Sequence, residues 1–84
     1  MLKVYSAFWC PHCTKTEKFL KENNIEFKSI DIETSDQSIV DQVIEANGGV
    51  DWVVPTLEYN GKWRRGLIFN AEQLKKDLET LGVI

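Results

Sequence analysis

The sequence predicts an α/β domain: a four-stranded mixed sheet with helices on both faces, in the order β-α-β-α-β-β-α. Three observations carry this expectation. Strand-like and helix-like segments alternate from Leu2 to Leu81 with no linker, repeat or low-complexity tract between them. Asn60-Gly61 separates two β-favouring runs and is the strongest short hairpin signal, because a type I′ turn needs positive φ at both central positions. The chain has 84 residues, 43% hydrophobic and 11% aromatic, which is enough for one core, one domain over residues 1–84, and too apolar for disorder.

Each element follows from its residues. Leu2 to Phe8 reads as the first strand, with Leu2, Val4, Ser6 and Phe8 on one face. Pro11 suits the first turn of the next helix, where its missing N–H would have no partner, and Thr14 to Asn23 favour helix up to a stop at Asn23-Asn24. Cys10 therefore falls at the N-cap. Ile25 to Ile32 makes the second strand. Asp36 caps a second helix whose Ile39, Val40, Val43 and Ile44 form one apolar stripe, and Asn47-Gly48-Gly49 ends it. Val53 to Tyr59 and Lys62 to Leu67 are the arms of the hairpin. The last helix starts at Asn70, where Gln73 completes a capping-box pattern and Phe69 can staple to Leu74; Leu74, Leu78 and Leu81 line its buried face. Two parallel strands joined by a right-handed helical crossover, plus the antiparallel hairpin, complete the sheet. In such a sheet the strand-to-helix turn is where chemistry sits.

Charge and cysteine usage narrow the function classes. Ten Lys and Arg against thirteen Asp and Glu give a net charge of -3, with no basic block to follow a phosphate backbone, so nucleic acid is not an expected partner. Leu2-Lys3-Val4-Tyr5 follows Met1 directly, without a leader-like segment or a run of about 20 apolar residues, so the expectation is a cytoplasmic, monomeric protein with no membrane partner. The two cysteines both lie in "FWCPHCTK", residues 8 to 15. A disulfide between Cys10 and Cys13 closes a very short ring and ties together nothing distant, so as a staple it achieves little. The pair points to chemistry instead.

A side chain at a helix N-terminus faces unpaired N–H groups and the positive end of the macrodipole, which stabilises a thiolate. Cys10 is thus the expected nucleophile, its pKa lowered toward the range of about 3.5 to 7.5 that such motifs reach. Cys13, one turn further in, attacks the mixed disulfide that Cys10 forms and releases the reduced substrate. Pro11 keeps the turn rigid. His12 has two readings: an imidazolium that favours the thiolate and makes the pair more oxidising, or a solvated side chain.

"WCPHC" after a first strand, "VPT" before a hairpin, and the element order together resemble the thioredoxin superfamily, in particular its compact glutaredoxin-like branch. "NGGVDWVVPTL" is similar to the corresponding stretch of mycoredoxin-type glutaredoxins. The resemblance implies a thioredoxin-like (glutaredoxin) fold and a dithiol thiol-disulfide oxidoreductase working in electron transport and cell redox homeostasis. It implies no bound cofactor beyond the redox-active disulfide, and no metal. Disulfide-containing proteins are the implied partners, with glutathione or another low-molecular-weight thiol as co-substrate, or a flavoprotein of the thioredoxin-reductase type as donor. Pro55 resembles the cis-proline that faces the redox pair in this superfamily, with the Val54 backbone pairing to an extended substrate segment and Thr56 completing the motif. Without the resemblance, a trans proline at the first residue of a strand is the expectation. Trp9 matches the superfamily's "WC" motifs and Trp52 lies close to Pro55, whereas Trp63 on the hairpin reads as packing.

Departures from the resemblance bear on the electron donor. Glutathione-binding relatives usually carry Lys or Arg three residues before the first cysteine, where this chain has Ala7. They also show Gly-Gly and an acidic pair after the last strand, against Arg65-Gly66-Leu67-Ile68 here, so Gly66 alone matches. Arg64 or Arg65 could offer a carboxylate contact instead. Thioredoxins proper carry a buried aspartate on the first strand, where this chain has Val4. These departures keep open a dedicated reductant such as the hydrogen donor of ribonucleotide reductase. A reading of another class is an iron-sulfur or metal-binding module. It is disfavoured because structural zinc wants four ligands and this chain groups only two cysteines and a histidine, and because Pro11 and the VPT loop disfavour a shared cluster.

Overall fold

The computed structural model describes residues 1–84. Its elements are β1 (Leu2–Ser6), α1 (Pro11–Glu22), β2 (Phe27–Asp31), a single 3₁₀ turn (Ile32–Thr34), α2 (Gln37–Ala46), β3 (Thr56–Tyr59), β4 (Lys62–Arg64) and α3 (Ala71–Leu81). The sheet runs β2-β1-β3-β4, with β1 parallel to β2 and antiparallel to β3, and β3 antiparallel to β4. The expected order and the mixed sheet are therefore both found. The one addition is the 3₁₀ turn, which starts where Asp31 Oδ1 accepts the Glu33 N–H at 2.9 Å.

Helices cover both faces, and the central strand shows it by burying odd and even residues alike. Leu2 and Val4 of β1 and Leu57 of β3 pack with Leu20 of α1 and with Leu74, Leu78 and Leu81 of α3. Tyr5 points to the opposite face and packs with Val43 of α2, Ile32, Ala7 and both cysteines. On that face Tyr5 also stacks on Trp63, their ring centroids 5.6 Å apart.

All four strands are shorter than the sequence predicts, each for a local reason. β1 ends at Ser6 because the chain turns there, the Cys10 N–H reaching back to the Ala7 carbonyl at 3.0 Å. Phe8 consequently leaves the strand face and is 88% exposed. Ile25 donates its N–H to Leu20 O at 2.9 Å, closing the end of α1, so pairing in β2 starts only at Phe27. β3 starts at Thr56 because Pro55 has no N–H to give, and the Val54–Pro55 peptide bond is cis. β4 stops at Arg64, since the Gly66 N–H turns out of the ladder to Asn47 Oδ1 at 2.7 Å.

Turn and cap residues act largely as their types dictate. Asn60 and Gly61 have φ of 50° and 84°, the type I′ pattern. Asn70 Oδ1 accepts the Gln73 N–H at 3.0 Å and so caps α3. The reciprocal half of the capping box does not form, because Gln73 Nε2 donates forward to Asp77 Oδ1 at 2.8 Å. Asp36 occupies the N-cap of α2 without a side-chain hydrogen bond.

Candidate redox site

The β1–α1 turn sets both cysteines at the edge of the sheet. Pro11 is the first residue of α1 and Cys10 its N-cap, with extended backbone (φ −86°, ψ 112°). In that position Cys10 Sγ accepts the Cys13 N–H at 3.1 Å, so the sulfur takes the place that a Ser or Asp oxygen fills at an ordinary helix start. The same sulfur lies 3.8 Å from the Val54 carbonyl oxygen, which brings the cis-proline loop against it. Both cysteines are free thiols.

Exposure does not distinguish the two sulfurs, since Cys10 is 4% exposed and Cys13 2%. Their surroundings do. Burial pushes the Cys13 thiol up to about 12; donation of its S–H toward Cys10 adds to this, a backbone hydrogen bond at Ala7 works against it, and the charges of Cys10 and Glu17 oppose a second anion. Cys13 is thus held as a thiol, while Cys10 Sγ sits at the positive end of the α1 dipole and accepts the Cys13 N–H.

His12 is not the solvated side chain that one reading of the sequence had. Its Nδ1 accepts the Phe69 N–H at 3.1 Å, so the ring is half-buried rather than solvated. The histidine ties the start of α1 to the chain leading into α3.

The cis-proline loop is held from behind. Thr56, fully buried, donates its hydroxyl to Val53 O at 2.6 Å and accepts Asn47 Nδ2 at 2.9 Å. Asn47 also donates to Val43 O at 2.8 Å and receives the Gly66 N–H. The polar groups of Thr56 and Gly66, expected at the substrate, are thus engaged inside the protein. Gly66 passes so close to the loop that a Cβ there would collide with the Val53 side chain. Val54 and Trp52 pack beside the cysteines, both half-buried. Trp9 is 55% exposed and anchors its indole N–H on Glu33 Oε1 at 2.7 Å.

The two arginines of the hairpin differ in their surroundings. Ala7 is buried, and Arg64 is buried on the far face with its Nε 2.8 Å from Asp77 Oδ2, a carboxylate of the protein itself. Arg65 is exposed. No three His, Cys, Asp or Glu side chains come together closely enough to hold a metal ion, so a closed zinc site would need ligands from outside the chain. No helix is long and apolar enough to cross a membrane.

Sequence reasoning missed Asn47, which reads only as a helix stop, and Glu17, whose place four residues after Cys13 was the available signal.

Comparison with known proteins places this geometry. The curated "Uncharacterized glutaredoxin-like 8.6 kDa protein in rubredoxin operon" of Clostridium pasteurianum is 44% identical over 32 residues, which span 38% of this chain and 43% of that protein. The glutaredoxin (grx-1) from Archaeoglobus fulgidus superposes with a TM-score of 0.71 at 28% identity, over 89% of this chain and 82% of that one. A buckwheat glutaredoxin-glutathione complex has the same fold, with a TM-score of 0.66 at 18% identity over 98% and 70%. These neighbours identify the fold as thioredoxin-like. The Glutaredoxin family model matches residues 2–63, well over half the chain, and with it the protein belongs to the glutaredoxin family.

Proposed function

We propose that the protein is a dithiol oxidoreductase that reduces disulfides of proteins, with Cys10 attacking and Cys13 resolving. Family membership supports thiol-disulfide chemistry at the coarse level. The division of roles rests on one observation, Cys10 Sγ sitting as the N-cap of α1 and accepting the Cys13 N–H at 3.1 Å. Cys10 thiolate bonds one sulfur of the substrate disulfide, and the other sulfur leaves with the electron pair. Cys13 then bonds Cys10, displaces the second substrate sulfur and leaves the Cys10–Cys13 disulfide. The substrate chain lies along the backbone of Val54, beside the cis Pro55, as a short added strand. Trp9, exposed and fixed by Glu33, flanks the approach.

Regeneration requires two electrons from outside. The buried Ala7 and the Asp77-bound Arg64 favour a donor that does not depend on carboxylate anchors at those positions, such as a flavoprotein of the thioredoxin-reductase type. That choice also suits a dedicated reductant of one enzyme, such as ribonucleotide reductase. The test is a coupled assay on a protein disulfide, run with NADPH and thioredoxin reductase and in parallel with NADPH, glutathione and glutathione reductase. Turnover with the flavoprotein alone is expected. Turnover only with glutathione overturns the donor assignment.

A further inference from the structure

We propose that Glu17 accepts the proton of the Cys13 thiol, through a water in the cleft between α1, β1 and β2, during the resolving step; this rests on the exchange reaction proposed above. Glu17 follows Cys13 by four residues on the same face of α1, and helical side chains lean toward the N-terminus, so its carboxylate leans back over Cys13. Ser6, Ala7, Cys13, Glu17, Ser29 and Asp31 line a cleft of about 270 Å³, ample for a bridging water. The carboxylate is fixed within it: Oε2 accepts the Ser29 hydroxyl at 2.7 Å, and Ser29 Oγ lies 3.2 Å from Ser6 Oγ.

The other bases near the pair are committed to the backbone rather than to a side chain of the cleft. His12 Nδ1 receives the Phe69 N–H, and Asp31 Oδ1 receives the Glu33 N–H while its carboxylate starts the 3₁₀ turn. A thiol held as high as Cys13 needs a partner to take its proton as it attacks. In the step, Cys13 Sγ bonds Cys10 Sγ, the bond from Cys10 to substrate breaks, and its electron pair leaves on the substrate sulfur. The Cys13 proton passes through the water to Glu17 and from there to solvent. Titratable residues lining the surface around Glu17 are Cys13 and Lys21 from α1, Asp31 from β2, and Glu26 just before β2, with Met1 at the same edge.

Glu17 has two opposed influences on Cys13, and their balance makes the test sharp. As a mere neighbouring charge it disfavours the thiolate, so removing the charge would speed resolution. As proton acceptor it enables the step, so removal slows it. Glu17→Gln keeps size and a partner for Ser29 and removes charge and basicity together, so the sign of the change shows which influence wins. Rapid-quench mass spectrometry with a peptide disulfide resolves the two steps. In Glu17→Gln, formation of the mixed disulfide is expected to be unchanged, while its resolution slows about 10²-fold, the lower end of what a positioned base contributes. Glu17→Asp, which keeps a carboxylate on a shorter side chain, restores part of the resolution rate. Resolution by Glu17→Gln at the wild-type rate or faster, equal slowing of both steps, or slowing by Asp31→Asn in its place overturns the assignment. A wild-type protein that forms no mixed disulfide sinks the oxidoreductase reading itself.

Discussion

The two faces of the sheet are built from different materials. Toward α1 and α3, seven buried residues, all Leu or Val, form a closed aliphatic cluster. Toward α2, the cluster takes in both cysteines, with Tyr5, Trp52 and Trp63 around Ile32 and Val43. None of those seven residues is titratable, and the buried Arg64 at their edge is paired with Asp77, so the contribution of this face is burial. The second buries two thiols, which shifts one of them strongly and leaves the other at a helix end. Stability and chemistry are thus assigned to opposite sides of one central strand, β1, whose alternate residues serve each.

That division can be broken most severely at Cys10. Cys10→Ser is expected to abolish disulfide exchange in a turnover assay while leaving the urea unfolding curve nearly unchanged. Cys13→Ser keeps the first attack and accumulates mixed disulfide, visible as a mass increase. Equal loss in both, or loss in neither, contradicts the roles given to the two sulfurs.

The opposite face answers the other way. Leu78→Ala opens space in the aliphatic cluster and should cost about 2–5 kcal/mol in chemical unfolding, while exchange per folded molecule stays the same. Between the faces lies Gly66. Gly66→Ala drives a methyl into Val53 and should cost about 1–3 kcal/mol by overpacking, with part of the loss recovered in the double variant with Val53→Ala. Lack of any recovery would place the strain elsewhere.

High pH sharpens the comparison. Folding raises the Cys13 pKa from an ordinary thiol value to about 12, so between those limits the native state holds a proton that the unfolded chain has lost. Stability in this window therefore falls as pH rises. Tyr5, also raised, first by burial and then by Glu58, adds a slope of the same sign. Cys13→Ser is expected to flatten the cysteine part of that slope in denaturant titrations above about pH 9 and to leave the tyrosine part. The smallest effect belongs to the cap of α3, where Asn70→Ala should cost about 1 kcal/mol and leave exchange untouched.

Much of the fold was legible because its signals are local. The Asn60-Gly61 turn, the Asn70 cap, Pro11 after Cys10 and the apolar spacing of α3 each lie within a few residues of what they determine. The cysteine pair was legible for the same reason, since the helix that positions Cys10 begins at the next residue. Hydrogen bonds across the chain were not legible. Phe69 reaches His12 over 57 positions and Gly66 reaches Asn47 over 19, and nothing in the neighbourhood of either residue announces its partner. The strand ends went wrong for the same cause: Val53 and Leu67 favour β, but the loop contacts of Thr56 and Gly66 take the chain out of the ladder. The cis geometry at Pro55 came from the resemblance to a family motif, and local propensity alone pointed to trans.

The account turns on the two thiols differing in readiness although both are nearly covered. Iodoacetamide labelling of the reduced protein, followed by peptide mass spectrometry from pH 5 to pH 10, measures this directly. The expected result is Cys10 modified first at neutral pH, with Cys13 unmodified throughout the range in which free cysteine reacts. Labelling of both at the same rate, or of Cys13 before Cys10, would contradict it.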